Sequence, residues 1–279
     1  MINKDCDSIA PPPAVVDPET KKRCRFDLLE FQVTYFPNVQ PFDGGFFDAV
    51  KTTERAVMDG GQYINEMDQG AGKTYLCETA ALWATLYGHR QYVAIILADQ
   101  WAASKSIRNI KKSLVKNELL AQDFPEVCHP AKALEEKRQR CQAQAIDGRL
   151  TRIKWDIDKL VFPTVTIDGK QTECSGAIIH ARGLMGSLRG MILKRPGQWV
   201  RRPDLALIDD PQTAESAASV AQTRNRLEII RRDLPRLGGR QEPTPAAVVN
   251  ATKLRDGDLV DQLLDPEKSP GWKAGWPGS

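Results

Sequence analysis

The chain has 279 residues, 41% hydrophobic and 27% charged, enough apolar material for one large α/β domain or two small ones. A net charge of +3 does not by itself call for a nucleic-acid partner. No apolar run approaches the roughly 18 residues of a membrane span, and the start MINKDCDSIAPPP has no apolar signal region, so a cytoplasmic protein with no membrane partner is expected. Six cysteines without a C-x-x-C pair argue against a disulfide framework, and three histidines, with only His129 beside a cysteine, supply no zinc-ligand pair.

Residues 1–22 are polar and rich in proline and read as a disordered or loosely attached leader to a domain over 23–265. RFDLLEFQVTYFPNVQPF, from Arg25, is too apolar for a linker and is expected to pack as a helix followed by an extended turn. Apolar positions 46, 47, 50, 57 and 58 make FFDAVKTTERAVM a helix that Gly60-Gly61 stops. The next stretch, Tyr63 to Leu76, reads YINEMDQGAGKTYL: a short apolar strand, a glycine-punctuated turn, then a helix over 74–87. Gln91 to Leu97 (QYVAIIL) suits a strand buried on both faces. Helix 100–117 sets Ile107, Ile110 and Leu114 on one side and the solvated Lys105, Arg108, Lys112 and Lys116 on the other.

Residues 131–160 hold a charged helical stretch and then an irregular segment in which TRIKWDIDKLVFPTVTI makes a loop and an edge strand. Three further strands are Gly176 to Ala181, Leu205 to Ile208 and Ala246 to Ala251, with one long helix, 213–234, between the last two. Strands alternating with helices predict an α/β fold, a doubly wound, mainly parallel sheet with flanking helices whose ligands sit at the carboxyl ends of the strands. From Asp265 onward proline and glycine make residues 266–279 read as a linker or a cut end.

Three stretches carry chemistry. In QGAGKT the glycines Gly70 and Gly72 let backbone N–H groups curl round an oxyanion, Lys73 reaches outer phosphates and Thr74 offers a hydroxyl to magnesium. The usual pattern has a glycine where Met67 stands, and a plain surface turn before a helix is the alternative reading. In RRPDLALIDDPQ a buried strand ends in Asp209, where it can hold magnesium, and Asp210, where an acid can orient attacking water; the alternative is a strand ending in a solvated acidic turn. In VVNATKLRDGDLVDQLL the strand ends in Asn250, Ala251 and Thr252, small and polar groups suited to sensing a γ-phosphate. Two basic runs add to these: Arg182, Arg189, Lys194, Arg195, Arg201 and Arg202 without an acid between them, and Arg224, Arg226, Arg231, Arg232, Arg236 and Arg240 against Glu228 and Asp233. They are either a surface for phosphate backbones or the solvated faces of ordinary elements.

These stretches, in this order, resemble the ATPase domain of the large terminase subunit, the motor that packs DNA into the procapsid of tailed phages. The resemblance runs from about Phe26 to Leu264 and rests most on RPDLALIDDPQ, the preceding SLRG and NATKLRDGDLVDQLL. It implies a P-loop NTPase of the additional-strand type that hydrolyses Mg-ATP to translocate double-stranded DNA. By position, Gly70, Ala71, Gly72, Lys73 and Thr74 would bind the triphosphate, Thr74 and Asp209 the Mg2+ ion, and Asn250 to Thr252 would couple hydrolysis to movement, Thr252 lying against the nucleotide. Asp210 would be the catalytic acid, with Glu215 as the substitute; either Gln32 or Gln40 would contact adenine. Family loops often carry an arginine that this loop lacks, so an arginine acting on the γ-phosphate would be Arg189 or Arg182, or come from a neighbouring subunit. The implied partners are double-stranded DNA, other copies in a ring on the portal, and the terminase small subunit, in the host cytoplasm. Family members continue into a nuclease domain for which this chain has no length, which reads as an excised motor domain or a separate nuclease. A helicase, normally built with a second motor domain, and a nucleotide-binding module without turnover are the other readings.

Overall fold

A computed structural model describes residues 7–38, 44–195, 199–238 and 244–275. An eight-stranded sheet runs through it. In chain order its strands are β1 (Gln62–Glu66), β2 (Tyr92–Leu97), β3 (Lys154–Trp155), β4 (Lys159–Val161), β5 (Ile178–Gly183), β6 (Leu205–Asp209), β7 (Ala246–Ala251) and β8 (Lys273–Ala274). Across the sheet they lie as β8-β1-β7-β6-β2-β5-β4-β3. The pairs from β8 to β5 are parallel, and β4 and β3 close one edge as an antiparallel hairpin. β2, β6 and β7 are buried along their whole length, which is why their sequences are continuous apolar runs rather than alternating ones.

The two-residue period of a strand splits these runs between two cores. Val93, Ile95, Leu205, Leu207 and Val248 face helices α1 (Leu28–Tyr35), α2 (Gly44–Asp59), α3 (Lys73–Leu86) and α4 (Gln100–Lys116). Ala94, Ile96, Ile208 and Val249 face Leu227 of α5 (Val220–Glu228) and Leu259 and Leu263 of α6 (Leu259–Leu264). α3 is buried over most of its surface, and fully buried Trp83 also satisfies its indole N–H on the Cys24 carbonyl at 3.0 Å. Each such large side chain contributes about 1.5–3 kcal/mol of transfer free energy. The architecture is therefore α/β with a mostly parallel central sheet and flanking helices, compatible with a doubly wound fold. No helix among the described residues is long and apolar enough to cross a membrane.

Four expectations need correction. Within the segment read as a disordered leader, Asp7–Ile9 pairs in parallel with Gln144–Ile146, and Pro18–Arg23 is a helix capped by Asp17. Lys21 ties that helix to Glu126 at 2.8 Å. Proline here starts a helix instead of opposing structure, because at the first helical position its missing N–H is not needed. The long helix over 213–234 is broken: Ala214–Ala218 ends at Ser219, whose hydroxyl caps α5 by accepting from the Gln222 N–H at 3.4 Å, and a π turn and a 3-10 turn follow α5.

The single edge strand expected within 151–167 is the hairpin of β3 and β4. Lastly, the described part of the expected linker packs as β8: Gly275 N–H donates to the Ile64 carbonyl at 2.7 Å, Thr52 Oγ1 donates to the Gly275 carbonyl at 2.9 Å, and Trp272 is buried. Residues 276–279 lie outside the described residues.

Candidate functional site

The turn from Met67 to Gly72 joins β1 to α3 at the carboxyl end of the sheet. Gly70 (φ 82°) and Gly72 (φ 82°, ψ 19°) adopt the left-handed conformation that side-chain-bearing residues avoid, and Gly72 is the N-cap of α3. Met67, at the position where a phosphate loop usually has its first glycine, is 5% exposed, and its N–H donates to the Ala251 carbonyl at 2.9 Å. That position is a packing residue in this chain, so the departure from the pattern has a structural cause.

Lys73 is 4% exposed. Its ammonium donates to the Asp68 carbonyl at 2.8 Å and to Thr252 Oγ1 at 2.6 Å, and it stands 3.4 Å from Asp210 Oδ2. Burial of a lysine is tolerated only where its donors are used, and here a turn of its own loop, the end of β7 and the end of β6 all supply acceptors. Thr74 Oγ1 donates to Asp209 Oδ2 at 2.6 Å, while Asp209 Oδ1, also buried, has no hydrogen-bond partner among the described residues. Burial pushes the Asp209 carboxyl up to about 6; the Asp210 charge pushes the same way, and the Thr74 bond and Lys73 oppose it.

Asp210 follows directly at φ 40°, a strained setting for a residue with a side chain, of the kind that gathers at functional sites. Its N–H donates to the Asn250 carbonyl at 2.9 Å and its Oδ1 accepts from the Thr252 N–H at 3.1 Å. β7 lies between β1 and β6, and this insertion lets one residue, Thr252, touch both Lys73 and Asp210.

The other expected residues do not all reach this point. Asn250 acts one layer below: its Oδ1 accepts from Asn65 Nδ2 at 2.7 Å and its own Nδ2 donates to Cys77 Sγ at 3.3 Å. Gln32, at 2% exposure, donates to Thr79 Oγ1 at 2.7 Å in the interior between α1 and α3. Gln40 lies outside the described residues. Arg182, near the carboxyl end of β5, donates to His180 Nε2 at 3.3 Å and stands 3.7 Å from Asp158. The side chain of Arg189 lies outside the described residues. Glu215 is exposed in the first turn of the helix that Thr213 caps.

Two residues escaped the sequence reading. Asn65 was seen only as part of a strand. Glu78 lies one turn beyond Thr74 on α3, accepts from Asn109 Nδ2 at 3.1 Å, and is pushed up to about 7 chiefly by burial, with the charge of Asp209 acting in the same direction. Its four-residue spacing from Thr74 is the signal that marks it. A cavity of about 540 Å³ opens beside the loop, with Gly44 and Asp48 of α2, Glu66, Asp68 and Ala71 among its walls.

No group of three or more His, Cys, Asp or Glu side chains that would hold a metal lies among the described residues. No family model matches the sequence, and no curated protein matches it.

Proposed function

We propose that this chain is a magnesium-dependent ATPase of the P-loop class, additional-strand type, and that it serves as the motor domain of a terminase large subunit moving double-stranded DNA into a procapsid. One observation carries the ATPase reading: Lys73, Thr74, Asp209, Asp210 and Thr252 converge at the carboxyl ends of three adjacent parallel strands, around a turn bent by two left-handed glycines. The motor, the ring on the portal and the small-subunit partner rest on the sequence resemblance alone.

The donor set fits a magnesium ion. Asp209 Oδ1 is a buried oxygen without a partner among the described residues, and the other oxygen of Asp209 is held by the hydroxyl of Thr74. Magnesium binds through one or two protein oxygens, the rest being phosphate and water. Thr74 and Asp209 would hold it, and the ion would neutralise charge on the phosphate oxygens.

The protein groups divide the remaining work. Lys73, released from Asp68 and Thr252, places its ammonium on the outer phosphates, as a preorganised cation in a water-poor site. Its departure loosens the contact with Asp210 and leaves that carboxylate to orient water, still aimed by the Thr252 N–H. Thr252, bonded to Lys73 on one side and Asp210 on the other, registers whether phosphate has taken the lysine. The cavity beside the loop is the place for the nucleobase.

Steady-state phosphate release from ATP, with Mg2+ and with EDTA, tests this reading. Turnover that requires Mg2+ is the expected result. Nucleotide binding without any turnover would favour the second reading, a binding module in which the tie between Lys73 and Asp210 holds the acid out of use.

A further inference from the structure

Two β-hairpins stand at the other end of the sheet. One joins Gln144–Ile146 to Arg149–Leu150 through Asp147-Gly148, the other joins Thr166–Ile167 to Lys170–Gln171 through Asp168-Gly169. In both turns the two residues have positive φ, at 48° and 72° and at 51° and 77°, the tight form that matches strand twist and holds a hairpin stiff. Between them lies a cleft of about 1120 Å³. Past Leu150 and Arg152, which line both, a second hollow of about 850 Å³ continues it to Lys154 and Lys194.

The walls of this groove are basic. Arg138, Arg149, Arg152, Lys154, Lys194 and Arg201 line it against the three carboxylates of Asp147, Asp156 and Asp168. Arg138 is paired with Asp156 at 2.6 Å, and Arg201 donates to Gln91 Oε1 and the Gly176 carbonyl, so those two are largely engaged. Arg149, Lys154 and Lys194 are exposed, and none of them forms an ion pair with a described residue. A run of like charges held along one groove, in a chain whose net charge is +3, is the footprint of a polyanion.

Which polyanion follows from what the groove lacks. Proteins that grip single strands stack bases on exposed aromatic rings. Among the described side chains of these walls the aromatic residue is Trp155, which is 8% exposed, and Lys111 Nζ lies 5.1 Å from its ring centroid. A duplex needs no such platform, only cations set along its phosphates.

We propose that the groove between the two hairpins, continued to Lys154 and Lys194, binds the phosphate backbone of double-stranded DNA. The duplex as partner rests on the reading above; its place on the molecule does not. Because Val161 of β4 pairs with Ile178 at the start of β5, the chain leaving β4 runs off the amino end of the sheet. The groove is therefore separated from the phosphate loop by the length of the strands, about 20 Å at 3.3 Å per residue.

The experiment measures binding of the whole chain to a mixed-sequence duplex and to one of its strands, without nucleotide, over a range of salt. The groove variant is Arg149→Glu with Lys154→Glu and Lys194→Glu; the control variant is Lys105→Glu with Arg108→Glu and Lys112→Glu, on the exposed face of α4. The parent is expected to prefer duplex, and the groove variant to lose at least about tenfold in affinity, with a salt slope shallower by about 0.9 per phosphate contact removed. The α4 variant is expected to bind like the parent. A parent that binds no duplex, or prefers the single strand, overturns both the partner and the groove. A parent that binds duplex as tightly as the groove variant overturns the groove alone, as does an equal loss in the α4 variant. Unchanged circular dichroism and thermal midpoint show that the variants are folded.

Discussion

At the carboxyl ends of β1, β7 and β6 the polar side chains are bonded to one another around a buried pair, Lys73 and Asp209, each 4% exposed. At the amino end, Arg149, Lys154 and Lys194 stand in water. The contrast separates two ways of using charge. Buried groups must be paired or they destabilise the fold, so a cluster of them that leaves Asp209 Oδ1 without a partner costs stability and points to chemistry. Exposed cations cost little and act together through a salt-sensitive field. Substitutions at the first end should change turnover and stability; those at the second should change binding and leave both alone.

The largest effect is expected for Lys73→Ala. Removing the cation that reaches Asp68, Thr252 and Asp210 should lower phosphate release by at least about 10²-fold and weaken nucleotide binding, the scale seen when a single preorganised charge-stabilising donor is lost. Nucleotide binding is read by displacement of a fluorescent ATP analogue. An unchanged Kd with unchanged turnover would remove Lys73 from the site.

Asp209→Asn should separate turnover from stability in opposite directions. Magnesium-dependent hydrolysis is expected to vanish while nucleotide binding persists. The ligand-free protein should meanwhile become more stable at pH 8, because the parent holds a buried carboxylate there against its preference. The sign follows from the raised value of about 6. The folded state takes up this proton more readily than the unfolded chain does. The penalty is therefore absent below the ordinary carboxylate range, grows as pH rises, and is full above about 6. At about 1.4 kcal/mol per unit the gain in the variant is on the order of 1–3 kcal/mol at pH 8 and shrinks toward pH 4. Urea unfolding at the two pH values checks it, and a variant less stable than the parent at pH 8 would contradict the account.

The same contrast explains how much was legible beforehand. QYVAIIL, LALID and AAVVNA are apolar without interruption because both faces are covered, so strands and their order in the chain could be read directly. Lys73, Thr74, Asp209, Asp210 and Thr252 follow those strands or open the helix after the loop, and their types at those ends carried the chemistry. The pairing of Asn65 with Asn250 was hidden, because it depends on which strands are neighbours. The hairpins at the amino end were hidden for another reason: strands of two or three residues have no period to detect, and their Asp-Gly turns were not read as hairpin signals. Four of the groove's six cations also lie outside the two basic runs seen in the sequence: Arg138, Arg149, Arg152 and Lys154 come from 131–160, read as a charged helical stretch and an irregular segment.

A smaller effect is expected on the pH profile. Glu78, raised to about 7, and Asp209, raised to about 6, must both lose protons for the site to carry its full negative charge. Turnover should therefore fall on the acid side with a midpoint between about 6 and 7, and Glu78→Gln should move that midpoint toward the Asp209 value. An unchanged midpoint in Glu78→Gln would show that Glu78 has no part in it.

Gly275→Ala probes the edge of the sheet beside the site. A methyl group built there would overlap Asn65 Oδ1, which sits in the polar pair under the loop. The cost should be about 1–3 kcal/mol in urea unfolding, as for other overpacked positions. Arg182→Ala should matter least, since Arg182 and Asp158 are both partly exposed and such a pair is worth little; a loss of turnover beyond about threefold would instead restore it as the arginine acting on phosphate.

The division between the two ends is tested most directly by one assay, phosphate release from Mg-ATP in the absence of DNA, run side by side on the parent, Lys73→Ala and the Arg149→Glu, Lys154→Glu, Lys194→Glu variant. Equal rates for the parent and the groove variant, with none for Lys73→Ala, are predicted. A Lys73→Ala protein that hydrolyses ATP at the parent rate, or a groove variant that is folded and silent, would contradict it.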